Sequence, residues 1–179
     1  FEGNGYGDEW KKEAKRRGLS NVTTTPPALD AFVTKKSTEL FDRNNIFSHR
    51  ENEARHEIML ETYIKKIQIE SRVMGSLAVN HILPAAIKYH TLLVENVEGL
   101  KDIGMPKDTY AAQVELIREI STHISVIKKN VDEMVEARKK ANAMTNVRSR
   151  AIAYCDKVKA YFDTIRYHVD KLELVVDDE

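Results

Sequence analysis

Six histidines, one cysteine and 28 acidic side chains are the groups in this 179-residue chain from which an active site could be built. The tightest cluster is Glu53-Ala54-Arg55-His56, whose Glu-x-x-His spacing lets one helix offer two ligands to a di-iron centre. Such a centre also needs a second Glu-x-x-His on a facing helix and two further inward carboxylates. Glu119 and His123 are separated by one residue too many, and no other pair completes the set, so the cluster reads as a solvated helix start. His81, just before Pro84, is expected to fill a core gap or to bond a carbonyl that the proline leaves free. Cys155 falls on or beside an apolar stripe, where a thiol behaves as a small hydrophobe and not as a nucleophile. Gly3-Asn4-Gly5-Tyr6-Gly7 has the glycines of a phosphate loop, but no strand precedes it and neither phosphate-binding pattern is met, so it reads as a turn. The pairs Lys11-Lys12, Arg16-Arg17, Lys65-Lys66 and Lys128-Lys129 are interleaved with acids on different faces and read as solvated surface. The residues therefore assign no catalytic, cofactor-binding or metal-binding position.

Composition narrows the classes further. Lys and Arg number 28 and balance the acids, which leaves no net field to draw the chain onto nucleic acid or an anionic membrane. No apolar run approaches the roughly 20 residues that span a bilayer. A single cysteine cannot form an internal disulfide, and with no secretory apolar segment at the start the expected compartment is the reducing cytoplasm. The length suits one compact core or a helical arm of a larger chain. A start at Phe1 without an initiator Met predicts a segment of something longer.

The elements that must position these groups are helices. A short one is expected from about Asp8, as cap, to Arg17, with Gly18 ending it. The extended Thr23-Thr24-Thr25-Pro26-Pro27 leads into a second, through about Asn44, striped by Leu29, Phe32, Val33, Leu40 and Phe41. Ser48-His49-Arg50-Glu51 fits a capping box with Phe47 as its staple, and it opens a long helix with Leu60, Ile64, Ile67, Met74, Leu77 and Ala78 on one face. Pro84 should kink or break it, with Ile87, Leu92, Leu93, Val97 and Leu100 continuing the stripe until Gly104 and Pro106 stop it. A second long helix is expected from near Asp108 to Asn142 through Tyr110, Val114, Ile117, Ile124, Ile127, Val131 and Met134. After Thr145-Asn146 a third carries Ala151, Tyr154, Val158, Phe162, Ile165, Val169 and Leu172, and the acidic end Asp177-Asp178-Glu179 should fray. The predicted fold is all-α: a long antiparallel bundle of about three long helices, one kinked near Pro84, preceded by two shorter helices.

Several strings, in this order, resemble the C-terminal region of type III glutamine synthetases. They are Asn4-Gly5-Tyr6 with Glu9-Trp10, Glu13-Ala14 with Arg16-Arg17-Gly18-Leu19, and Thr24-Thr25-Pro26 to Ala28-Leu29. Lys36-Ser37, Glu39-Leu40-Phe41, Arg55-His56-Glu57, Tyr63-Ile64-Lys65, Ile69-Glu70-Ser71 and above all His81-Ile82-Leu83-Pro84-Ala85 follow. The likeness is strongest over residues 1 to 100 and weaker through Asp170-Lys171-Leu172-Glu173. Gly7 stands where the family more often has Ser, and the family's Trp-Pro tail is absent, which predicts trimming at both ends.

The resemblance implies a parent enzyme that makes glutamine from glutamate and ammonia, with ATP phosphorylating the glutamate side chain under control of Mg or Mn. It implies that the catalytic residues lie in an upstream portion of the same chain, that the parent is a cytoplasmic homo-oligomer, and that no nucleic acid or membrane is a partner. Residues 1-47 are then expected to be closing elements of the catalytic domain, and 48-179 a C-terminal helical-bundle extension. The alternative expectation is a freestanding helical module that binds a partner helix through its apolar stripe.

Overall fold

The computed structural model describes residues 2–176; the acidic end, with its expected fraying, lies outside the described residues. The described residues form helices and no strand, so the all-α expectation holds. The chain divides into two compact units, residues 1–63 and 64–179.

In the first unit, α1 (Asp8–Arg16) is capped by Gly7 rather than by Asp8, which sits inside the first turn and pairs with Lys11 at 2.7 Å. Asp8 is more useful there, because a carboxylate in the first turn faces the positive end of the helix dipole. The helix ends as expected on Gly18 at φ +69°, with Leu19 N–H donating to the Ala14 carbonyl and Gly18 N–H to that of Lys15. The second expected helix is two: α2 (Thr25–Leu29) runs into a 3-10 turn at Asp30–Val33, and α3 (Lys35–Arg43) starts afresh. Thr34 makes the break. Its backbone is extended and its hydroxyl accepts from Ser37 N–H, a capping geometry that competes with helix continuation. The stripe assigned to one helix is consequently dispersed, and Phe32 and Leu40 are exposed.

The capping box at the start of α4 (His49–Leu77) forms as read. Ser48 N–H and hydroxyl both donate to Glu51 Oε2, at 2.8 and 2.7 Å, and Glu51 N–H reaches Ser48 Oγ at 3.4 Å. These bonds hold the Glu51 carboxyl below its ordinary range. Phe47 does not staple forward onto an apolar residue, because Asn52 occupies that position. Instead its ring meets Phe41 edge-on at 5.7 Å and takes the Arg55 guanidinium on its face at 4.4 Å.

In the second unit α4 does not break at Pro84. It widens into a π turn, Ala78–Ile82, closed by Leu83 N–H donating to the Ala78 carbonyl, and continues as α5 (Leu83–Asp102). The wider turn has a packing consequence. Ala78 and Leu83 are both buried although five residues apart, a separation that a regular helix would place on different faces. The observed stripe thus runs through Ala78, Leu83, Ala86 and Val97, and the expected core positions Leu77, Ile87 and Leu92 are left about half exposed.

Gly104, at φ +79°, and Pro106 end α5; after a 3-10 turn at Lys107–Tyr110 the chain returns as α6 (Ala111–Asn142). Asn146 caps α7 (Val147–Ala153), which passes through a π turn at Tyr154–Val158 and a 3-10 turn at Lys159–Tyr161 into α8 (Phe162–Glu173). The sequence had suggested one uninterrupted helix here. The apolar steps Tyr154, Val158 and Phe162 are two fours in succession, which drift off one face of a regular helix, and the extra residue of a π turn brings them back. Helix α6 is central: α5 and α8 pack on it, and a Cβ at Gly75 of α4 would touch Val131 and Met134 at 3.5 and 3.6 Å. Ile120, Ile127, Met134, Tyr154, Val158 and Ile165 are the fully buried heart of this unit.

Candidate functional site

The side chains singled out for chemistry are dispersed by the fold. Glu53 lies 3.4 Å from the ring of His49 on the α4 surface, and His56 turns the other way, its Nε2 buried 3.3 Å from Asp30 Oδ1 without the alignment of a hydrogen bond. They do not converge. His81 is exposed and so fills no core gap, Cys155 is a free, half-covered thiol, and the glycine segment is a turn closed by Gly7 N–H to the Asn4 carbonyl at 3.0 Å. Of the basic pairs, Arg16 and Arg17 share Glu13, each at 2.6 Å, and hold its carboxyl down at about 2. Lys128 pairs with Asp132 at 2.6 Å and Lys129 with Glu133 at 3.9 Å, one turn on along the same helix.

Three polar constellations in the second unit escaped the sequence reading. His90 of α5 bonds Ser121 Oγ at 2.8 Å, while the Ser121 hydroxyl is turned to the Ile117 carbonyl at the same distance. The imidazole therefore donates to the serine, which removes any activation of that hydroxyl as a nucleophile. Tyr154, fully buried, donates to Asn142 Oδ1 at 2.7 Å, and Gln68 reaches the same oxygen at 3.4 Å. Burial pushes the phenol up, opposed by Arg138 and by its hydrogen bonds. Third, His123 of α6 and His168 of α8 meet Nδ1 to Nδ1 at 2.7 Å, with Glu119 3.7 Å from the far nitrogen of His123.

The sequence does carry a signal for two of these. His123 lies three residues after Ile120 and four before Ile127, His168 three after Ile165 and four before Leu172, and all four apolar residues are buried. Each histidine thus occupies a core-facing register position. His90, four after the buried Ala86 and seven before the buried Val97, does the same.

Among the described residues no group of three or more His, Cys, Asp or Glu is placed to hold a metal ion, and no helix is long and apolar enough to cross a membrane. What the geometry defines is a helical packing module.

Comparison with known proteins identifies that module. Residues 1–101 match the family model described as the glutamine synthetase C-terminal domain. The whole chain aligns with the glutamine synthetase of Bacteroides fragilis (strain YCH46) at 45% identity and with that of Butyrivibrio fibrisolvens at 30%. It aligns with the type-3 glutamine synthetase of Dictyostelium discoideum, also at 30%. The chain belongs to the glutamine synthetase family, in its C-terminal domain. It spans about a quarter of the length of these relatives.

Proposed function

We propose that this chain is the structural and assembly segment at the C-terminal end of a type III glutamine synthetase. In this reading, ligation takes place on an upstream portion of the same polypeptide. There ATP phosphorylates the glutamate side chain, ammonia displaces the phosphate, and Mg or Mn neutralises the transferring group. Stabilising that charge needs metals and cations converging on one cleft, whereas pairs such as Arg17–Glu13 and Lys128–Asp132 run along single helices. Residues 1–47 then complete the catalytic domain, 48–179 form the type-specific extension, and the parent works as a cytoplasmic homo-oligomer.

The observation that carries the reading is the whole-length alignment with relatives four times as long. Exposed Leu77, Ile87 and Leu92, which the sequence pattern marks for burial, support a surface that other parts of a larger assembly cover. The test pairs the 179-residue chain with the full-length protein in a glutamine-forming assay containing glutamate, ammonia, ATP and magnesium. Full-length protein should turn over, and the pure chain should be strongly helical by circular dichroism yet inactive. Turnover by the pure chain overturns the division of labour; a coding sequence that starts near Phe1 overturns the parent enzyme in favour of a freestanding interaction module.

A further inference from the structure

We propose that the His123–His168 pair is an acid-opened clasp that holds α8 against α6. Two imidazoles facing Nδ1 to Nδ1 at 2.7 Å share a single proton, donated by one ring and accepted by the other. One added proton leaves that bond intact, as an imidazolium donating to a neutral ring; a further one charges both rings and sets N–H against N–H at that distance. The rings are tilted at 55° with centroids 5.0 Å apart, so the pair bridges α6 and α8, and Tyr167 packs edge-on against His168.

The neighbours give the clasp its direction. From α6, Glu119 faces the outer nitrogen of His123 at 3.7 Å, and its carboxylate is half exposed. From α8, Arg166 and Asp170 pair with each other at 3.5 Å, and Lys171 lies over the Tyr167 ring at 5.6 Å. Helix α5 packs on another side of α6: its His90 meets Ser121, about 200° around the helix from His123. The π turn preceding α5 contributes only His81, which is exposed. The acids and bases of 154–161 meet α6 near Asp132–Lys140, turns away from the pair.

Burial holds the His168 imidazole below its ordinary value, and the charge of His123 adds to the effect. A histidine that protonates less readily when docked than when free loses docking stability as the pH falls. The clasp is therefore fully closed above about 6.5, the ordinary histidine value, and weakens below it.

Hydrogen exchange of the 179-residue chain, corrected for the intrinsic pH dependence of exchange, tests the proposal at pH 7.5 and 5.5. Amides of Phe162–Glu173 should lose protection at the lower pH while those of Leu83–Asp102 keep it. His168→Gln retains an amide that can bond His123 but does not titrate, so its α8 should keep its protection at both values. Unchanged α8 protection in the native chain, or the same loss in the variant, overturns the clasp. Where the variant does not fold, the native chain still decides by NMR. The His168 ring should titrate below a histidine in an unstructured peptide, with α8 amide shifts following the same midpoint. A midpoint at or above the peptide value overturns the proposal.

Discussion

Asn52 is 2% exposed, and its side-chain amide donates to the Phe32 carbonyl at 2.7 Å and reaches Thr38 Oγ1 at 3.5 Å. It ties the start of α4 to the 3-10 turn and to α3, at the position where a capping box ordinarily places an apolar staple partner. Asn52→Ala removes the donor and leaves a carbonyl in a covered site, so unfolding in denaturant should show a loss of about 1–3 kcal/mol. A loss under about 0.5 kcal/mol, the level of an ordinary surface change, would mean that the bond contributes little. The capping box itself was legible because Ser48 and Glu51 act over three residues of sequence. Asn52 was not, because its partner Phe32 is twenty residues away and a backbone carbonyl carries no signature in the side-chain pattern. The paired histidines fall between these cases: spacing marked each for the core, but nothing in one helix names its partner on another.

At the scale of elements, what depends on local chemistry was readable and what depends on packing phase was not. The stops at Gly18 and Gly104 follow from glycine's tolerance of positive φ, and the start at Ser48 from its reciprocal bonds. The π turns were missed, although the five-residue step from Ala78 to Leu83 and the paired four-residue steps at Tyr154–Phe162 record them once the buried faces are known. Pro84 was placed as a disturbance but not as one that the helix absorbs by widening; just beyond it the buried position is Ala86 and not the expected Ile87, while Val97 is buried as expected. Two glycines give an opposed pair of predictions on α5. A Cβ at Gly99 meets nothing within 4 Å in the last turn of α5, so Gly99→Ala should stabilise the protein by roughly 0.5 kcal/mol through helix propensity and a less disordered unfolded chain. Gly104 also has open space but sits at φ +79°, and Gly104→Ala should destabilise by about 1 kcal/mol. Thermal melts of the two variants should move in opposite directions; a shared direction would mean that space and not backbone conformation governs this helix end.

For the whole molecule, the balance of 28 basic and 28 acidic residues removes the repulsion that ordinarily keeps chains apart, and the sequence pI of about 7.2 puts that condition at neutral pH. Apolar surface is available as well. Ile69, Val73 and Leu77 of α4 line an open groove of about 500 Å³ with Phe162, Ile165 and Val169 of α8, and the three α4 residues are each about half exposed or more. With no net charge to oppose contact, the 179-residue chain should self-associate at neutral pH, and light scattering should show a mean mass that rises with concentration above the 20.5 kDa of one chain. Leu77→Lys places a cation in that groove and adds a net positive charge. At 49% exposure Leu77 contributes little to the core, so the variant should melt within a few degrees of the native chain. It should nonetheless scatter closer to the single-chain mass. Equal association in native and variant chains would show that the groove is not the contact. A large loss of melting temperature would instead return Leu77 to the core position that its spacing in the sequence first suggested.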